Sequence, residues 1–224
     1  FLHHLEHVIE FSLDSSEPCK AATTALKRLI QQERAGKRIF PRRLGNVLLP
    51  FFKKCPVETL DAVYTKGEHS ALMHMLDVRL DRHGDTAIGV VPEASLIEWC
   101  QVSPEDRCVF AAQTCKLFER PNSDECSDVA VIGISNTAKT LLAQAPDKKR
   151  VLEILASRFP PSSWSGSRAA IMRQRFEHLD ELNPTGNPEL TSLIEEMKAR
   201  VFKLIESEER QEQERERSET GSFE

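Results

Sequence analysis

The feature that most constrains this chain is an apolar seam with heptad spacing near its C-terminus, formed by Leu190, Ile194, Met197, Val201 and Leu204. Spacings of three and four residues place such side chains on one face of an α-helix. The following segment, 206–217, contains no apolar residue. The pattern therefore predicts a helix whose first half closes a helical array and whose second half projects from it as a charged rod.

The composition favours an all-α fold. The 224 residues include nine glycines, which is few for a β-rich fold with tight turns or for a phosphate-binding loop architecture. Apolar residues recur at the helical period in most windows, as at Leu2, Leu5, Ile9 and Leu13. Each predicted helix is apolar on one side, so each needs neighbouring helices.

Prolines and capping residues such as Pro56, Pro104, Asp147 and Pro188 mark helix starts along the chain. The predicted helices cover residues 2–13, 17–34, 41–54, 56–65, 68–82, 92–102, 104–119, 135–145, 147–159, 166–182 and 188–216. Helix pairs of about 40 residues have the size of HEAT or armadillo repeat units. We predict antiparallel helix pairs stacked as a HEAT/armadillo-like α-solenoid, with a compact helical bundle as the alternative.

The predicted domain organisation is a helical-repeat domain over 1–205, with a possible subdivision near 121–134, and a charged helical or disordered tail over 206–224. Residues 206–219 include seven Glu and three Arg and so carry most of the net charge of −5. The chain begins with Phe1 rather than Met. We expect it to be a processed product or a C-terminal piece of a longer protein.

Two short stretches, 85–91 and 128–134, are rich in β-branched residues and lie near glycine. Either could form a strand, but two such strands alone would make a marginal ladder. We therefore expect irregular or helical turns in both.

The run from Gly133 to Thr140 resembles the phosphate-binding motif GxxxxGK[ST], with Lys139 in place but Ala138 where the second glycine belongs. A Cβ at that position obstructs the approach of the backbone to phosphate. No further strand is predicted after it. We expect Ser135 to cap a helix here, and nucleotide binding with Lys139 is the less favoured interpretation.

No metal, cofactor or catalytic residue is predicted. His3 and His7 lie four residues apart on one helical face, but a zinc site needs at least three converging ligands and His4 points elsewhere. The six cysteines contain no CxxC pair, which is typical of reduced, mostly buried thiols. Cys108 and Cys115 are expected to belong to a core stripe rather than to a thiolate pair.

Residues 36–54 contain six basic side chains and no acidic one. These basic residues alternate with phenylalanines, which is one pattern of a nucleic-acid or anionic-partner patch. The phenylalanines also have helical core spacing, so an ordinary helix with basic ends is the other interpretation. The candidate patch residues are Lys37, Arg38, Arg42, Arg43, Lys53 and Lys54.

The segment 159–171, FPPSSWSGSRAAI, has two prolines that end one helix and hydroxyls that can cap the next, with Trp164 positioned to pack on its first turn near Ile171. Together with residues 136–159 before it and the Glu/Arg-rich tail ending in Ser-Phe-Glu, it resembles the HEAT-like C-terminal region of some large bacterial multidomain proteins. The resemblance covers about residues 135–224. In such proteins, some of them in anti-phage defence loci, it implies a scaffold or sensor part beside a nucleotide-hydrolysing or effector module.

The leading functional prediction is a non-enzymatic helical scaffold that binds another protein or an adjacent domain of a larger bacterial assembly. The alternative is a nucleic-acid-binding domain that uses the basic patch. No stretch reaches the ~20 apolar residues of a membrane span, so no membrane partner is expected. The reduced cysteines predict a cytoplasmic location. The candidate partner-docking residues are Trp164, Arg168, Arg173, Arg210 and Phe223.

Overall fold

The structure, a computed structural model, describes residues 24, 26–28, 30–32, 35, 49–64, 88–119, 131–161 and 164–221, without the side chains of 219–221. The described chain is mostly helical, which confirms the all-α prediction. The chain divides into two compact units, 1–116 and 117–224, and each is described by itself. The solenoid arrangement stays a prediction.

In the first unit, helical residues at 24, 26–28, 30–32 and 49–54 precede three helices with fully described ends. These are α1 (Pro56–Val63), α2 (Glu93–Gln101) and α3 (Pro104–Thr114). Proline begins α1 and α3, because the first N–H of a helix has no acceptor and the fixed φ of proline suits that position. Residues 88–90 form a 3₁₀ turn, as expected for the first of the two β-branched stretches.

An aromatic cluster packs where the end of α1 meets α2 and α3. The fully buried Trp99 makes edge-to-face contacts with Tyr64 and Phe110, at ring-centroid distances of 5.3 and 5.7 Å. Its indole N–H donates to Asp61 Oδ1 at 2.7 Å, and Arg107 lies over its ring. The polar edge of the buried indole is therefore satisfied by a carboxylate that also pairs with Arg107 at 2.9 Å.

The second unit contains two short strands and four helices among its described residues. They are β1 (Phe118–Glu119), β2 (Gly133–Ile134), α4 (Asn136–Gln144), α5 (Lys148–Ser157), α6 (Arg168–Phe176) and α7 (Pro188–Gly221), with a 3₁₀ turn at Leu179–Leu182. The helices α4, α5 and α6 are capped by the side chains of Ser135, Asp147 and Ser167. Each side chain accepts a hydrogen bond from the backbone N–H of the residue three positions later. The predicted capping role of Ser135 is confirmed.

The strands correct two sequence predictions. The helix predicted over 104–119 ends at Thr114, and the stretch 128–134, expected to form irregular or helical turns, contributes β2. The two strands are antiparallel, with Phe118 opposite Ile134. Both side chains are buried, while backbone bonds such as Ser135 N to Leu117 O at 2.9 Å satisfy the extended chain. Long-range pairing therefore overrides the local helical pattern.

The helix predicted over 166–182 is also interrupted. The helix α6 ends at Phe176, and the chain tightens into the 3₁₀ turn, where His178 N donates to the carbonyl of Arg175. This turn buries Leu179 and Leu182. The interruption carries no glycine or proline signal, so periodicity alone could not locate it.

The seam of α7 differs from the prediction at its end. Leu190, Ile194, Met197 and Val201 are buried, but Leu204 is 42% exposed and Ile205, at 1%, continues the seam. At about 100° per residue, position 205 lies about 20° from Ile194 around the helix, whereas position 204 lies about 80° away. The seam then reaches Glu208, which is only 7% exposed, so the segment after 205 is not a freely projecting rod.

The described helices include none that is both long and apolar enough to cross a membrane.

Candidate functional site

A groove between α5 and α7 forms a concave surface of the second unit, with a volume of about 250 Å³. We call it the α5–α7 groove. It is lined by Lys149, Leu152, Glu153, Ala156 and Ser157 of α5 and by Leu193, Glu196, Met197, Arg200, Val201 and Leu204 of α7.

The groove has an apolar floor and a charged rim. Leucine, methionine, valine and alanine side chains from both helices form its floor. Two basic residues, Lys149 and Arg200, and two acidic ones, Glu153 and Glu196, line it as well, and the Arg200 and Glu196 side chains lie 3.8 Å apart. An apolar floor with a polar rim is the usual anatomy of a protein-binding surface.

Core packing fixes both walls of the groove. In α5, Val151, Leu152 and Leu155 are buried, and the Asp147 carboxylate caps the helix by accepting Arg150 N–H at 2.9 Å. In α7, the seam residues are buried one helical face away from Leu193 and Leu204. Leu152, Met197 and Val201 belong to this core and also line the groove, so buried core residues form part of its floor.

A second arrangement joins α7 to α6. We call Glu208, Glu209 and Glu212 the acidic face of α7. Glu208 Oε2 lies 2.9 Å from Arg168 Nη1, and Glu209 binds Arg173 through both carboxylate oxygens, at 2.5 and 2.9 Å. The tail predicted to be solvated is thus bound to the preceding helix by ion pairs.

Glu212 occupies the N-terminus of α6. Its Oε1 accepts the backbone N–H groups of Arg168 at 2.7 Å and Ala169 at 3.2 Å, and its Oε2 accepts the Ser167 hydroxyl at 2.7 Å. A carboxylate is favoured there by the free N–H groups and the helix dipole. Partial burial opposes the charge, but these hydrogen bonds outweigh it and lower the pKa of Glu212.

In the Glu209–Arg173 pair, too, hydrogen bonding outweighs the effect of burial on the pKa values. The hydrogen bond between the two side chains lowers the pKa of Glu209 and raises the pKa of Arg173. Both groups therefore stay charged at neutral pH.

Four of the five predicted docking residues fall in the described structure, and three of them lie at the contact between α6 and α7. Trp164 is 44% exposed and has the Arg168 guanidinium 4.6 Å from its ring centroid. Arg168 and Arg173 bind the acidic face of α7. Arg210 is exposed and donates to the Glu206 carbonyl of its own helix. Phe223 lies outside the described residues.

The basic patch is described only in part. Lys53 and Lys54 are exposed near the end of the helical residues 49–54. The other four candidates, Lys37, Arg38, Arg42 and Arg43, lie outside the described residues, as do His3, His4 and His7. The nucleic-acid alternative therefore stays a prediction.

The lysine of the phosphate-loop-like run is held by a carboxylate. Lys139 Nζ lies 2.8 Å from Glu181 Oε2, which also accepts the backbone N–H of Ile134 at 3.2 Å. Ser135 caps α4 by accepting the N–H of Ala138. In this arrangement the side chain that would contact phosphate is part of a structural ion pair.

The described cysteines, Cys55, Cys100, Cys108 and Cys115, are all buried. The thiols of Cys100 and Cys108 interact across α2 and α3, and this contact together with burial raises the pKa of Cys100. A raised pKa keeps a thiol protonated and weakly reactive. Within the part of the chain that the structure describes, no cluster of His, Cys, Asp and Glu is arranged to hold a metal ion.

Comparison with protein-family models, curated proteins and solved structures finds no match to this chain. The HEAT-like resemblance stays a prediction. Sequence reasoning did not identify the α5–α7 groove. The one sequence signal for it was Leu193, an apolar residue of the C-terminal helix that lies outside the heptad seam.

Proposed function

We propose that this chain is a non-enzymatic helical scaffold of the cytoplasm that binds an amphipathic helix of a partner protein in the α5–α7 groove. The observation that carries the proposal is the apolar floor of this groove, with Leu204 left 42% exposed between charged residues. A groove between two helices with such a floor suits the helix-in-groove mode of recognition.

The charges of the groove indicate the kind of partner. Two basic and two acidic side chains leave it with no net charge. A nucleic acid gains most of its affinity from basic side chains that neutralise phosphates, so a balanced rim does not favour it. An amphipathic helix with apolar residues at i, i+3 or i+4, and i+7 and with charges of both signs on its flanks fits this rim.

The rigidity of the walls supports the same conclusion. The buried residues of α5 and the buried seam of α7 hold the two helices in place, and Leu152, Met197 and Val201 among them also line the groove. A preformed site loses little conformational entropy on binding, which favours affinity. The all-α fold and the HEAT-like resemblance of residues 135–224 support a scaffold role.

The test is to select amphipathic helical peptides from a displayed library on the full-length chain and to measure their affinities by fluorescence anisotropy. We expect a selected peptide to lose at least about tenfold in affinity with the Leu204→Glu variant, because a carboxylate then enters the apolar floor. Ile132→Glu is the matched control, since Ile132 is a 62% exposed apolar residue of the same unit outside the groove.

Selected peptides that bind Leu204→Glu as tightly as the unmodified chain would overturn the proposal. A chain that retains only nucleic acid from its cell lysate and loses it after nuclease treatment would favour the basic patch instead. Six phosphate contacts there would give a log–log salt slope of about −5.

A further inference from the structure

The contact between α6 and the acidic face of α7 has the composition of a complex between a basic surface and an acidic ligand. On one side are the guanidinium groups of Arg168 and Arg173 and the N-terminus of α6. On the other side are three carboxylates at positions i, i+1 and i+4 of one helix. The two sides are about 40 residues apart in the chain, so the contact is tertiary.

We propose that the acidic face of α7 is an intramolecular ligand, and that the surface of α6 that it covers binds an acidic helix of a partner protein when the tail is displaced. The bound tail itself shows the chemistry of the occupant: carboxylates at i, i+1 and i+4 on a helix. This surface is separate from the α5–α7 groove, and the proposal does not depend on that groove.

The composition of the tail favours displacement. After Ile205 the helix has no apolar residue up to position 217, so ion pairs and hydrogen bonds replace apolar packing as the means of attachment. The Arg173–Glu209 pair is exposed, and such pairs contribute little to stability and are weakened by salt, whereas the Arg168–Glu208 pair is partly buried. Such a contact exchanges more readily than the buried seam between Leu190 and Ile205 does.

The basic side is also not saturated by the tail. The Nε atom of Arg168 is buried and has no hydrogen-bond partner among the described residues. Trp164, stacked on the same guanidinium and 44% exposed, borders the surface. An incoming helix could use this donor and the indole in addition to the three positions that the tail occupies.

The first experiment uses a fluorescein-labelled peptide with the sequence of residues 203–218 and the full-length chain. In the unmodified chain the attached tail acts at an effective concentration in the millimolar range and excludes the peptide. In the variant with Glu208→Gln, Glu209→Gln and Glu212→Gln the surface is released, and we expect the peptide to bind at least about tenfold more tightly. A peptide carrying the same three Gln substitutions is the control and should not bind.

Equal binding to both chains, or equal binding of both peptides, would overturn the proposal.

The second experiment needs no variant and measures amide hydrogen exchange of the unmodified chain at low salt and in 1 M NaCl. The N–H groups of Arg168 and Ala169 are hydrogen-bonded to Glu212, whereas that of Ala170 is bonded to the local Ser167 hydroxyl. Because about 1 M salt reduces the Debye length to about 3 Å, we expect faster exchange at Arg168 and Ala169 but not at Ala170. Unchanged exchange at all three would contradict a displaceable tail.

Discussion

Lys139 Nζ lies 2.8 Å from Glu181 Oε2, and this pair joins the start of α4 to the 3₁₀ turn at Leu179–Leu182. The same carboxylate accepts the backbone N–H of Ile134 in β2 and contacts His178 Nδ1 at 2.7 Å. One half-buried side chain therefore links a turn to a strand and a helix that lie over 40 residues earlier in the chain.

Replacing Glu181 with Gln should destabilise the second unit by about 1–2 kcal/mol. The amide keeps the shape of the side chain but loses the charge that strengthens three hydrogen bonds, and partial exposure limits the effect. Native-state hydrogen exchange of the β2 and α4 amides measures the loss of stability in this region.

Glu214→Gln is the control for this variant, because Glu214 is an exposed residue of α7. We expect a change within about 0.5 kcal/mol for it. Similar exchange in Glu181→Gln and Glu214→Gln would show that the Glu181 links contribute nothing measurable.

Gly133→Ala should destabilise the same region, and the effect should depend on Glu181. A Cβ at position 133 would lie 3.0 Å from Glu181 Oε2. The three partners of the Glu181 carboxylate, two on Oε2 and one on Oε1, restrict its movement. We expect a loss of about 1–2 kcal/mol in the unmodified background and a smaller one with Glu181→Ala. A double-mutant cycle of Gly133→Ala and Glu181→Ala, measured by hydrogen exchange, gives the coupling free energy between the two positions. If the two losses of stability are additive, the carboxylate moves aside to accommodate the new methyl group.

The sequence predicted the helical class and most helix starts because those signals are local. Ser135, Asp147 and Pro104 satisfy or avoid unpaired N–H groups at their own helix ends, so their roles can be inferred without tertiary contacts. The interruption after Phe176 and the strand at Gly133–Ile134 depend on long-range partners, such as Glu181 and Phe118, and no local signal marks them.

The candidate sites were predictable to a smaller extent. Trp164 and Arg168 were predicted to be docking residues, and this stays a prediction, although the structure places both beside the acidic face of α7. The sequence does not show that three glutamates of the tail bind α6. Glu208, Glu209 and Glu212 lie in a segment that is rich in charged residues throughout, so nothing in the sequence distinguishes them from the other glutamates there. Only the tertiary arrangement distinguishes a bound carboxylate from a free one.

Stability of the second unit should decrease in acid. For Glu181, burial raises the pKa, but hydrogen bonds from Lys139, His178 and Ile134 N–H outweigh it and hold the pKa below its usual value. A lowered folded-state pKa contributes stability above the unfolded value of about 4.3, and this contribution is lost as pH falls through the folded pKa.

The measurement compares the hydrogen-exchange protection of the unmodified chain with that of Glu181→Gln from pH 7 to pH 3. At each pH, the observed rates are corrected for the intrinsic exchange rate. We expect the stability difference between the two chains to be constant above about pH 5 and to shrink below about pH 4. A difference that is independent of pH would show that the charge of Glu181 does not contribute.

Asp61→Ala should destabilise the first unit by about 1–3 kcal/mol. The variant leaves the indole N–H of the fully buried Trp99 without its acceptor and removes the ion pair of Arg107. Hydrogen exchange in α2 and α3 measures the effect, and Glu98→Ala, an exposed change on α2, is the control. Equal protection in the two variants would indicate that water replaces the carboxylate at no net free energy.

Adjacent alanine substitutions in α7 distinguish its buried seam from the groove. Ile205 is 1% exposed, so Ile205→Ala should lower the free energy of unfolding of the second unit by about 2–4 kcal/mol through lost burial and a cavity. Leu204 is partly exposed and lines the groove, so Leu204→Ala should change stability by no more than about 1 kcal/mol while weakening a peptide bound there.

The two readouts are hydrogen exchange of the α7 seam and anisotropy of a groove-selected peptide. The heptad seam read from the sequence predicts the opposite order, because it places Leu204 in the core. A larger loss of stability for Leu204→Ala than for Ile205→Ala would therefore show that Leu204, as in the heptad seam, is the core residue. The α5–α7 groove would then lack its exposed apolar residue.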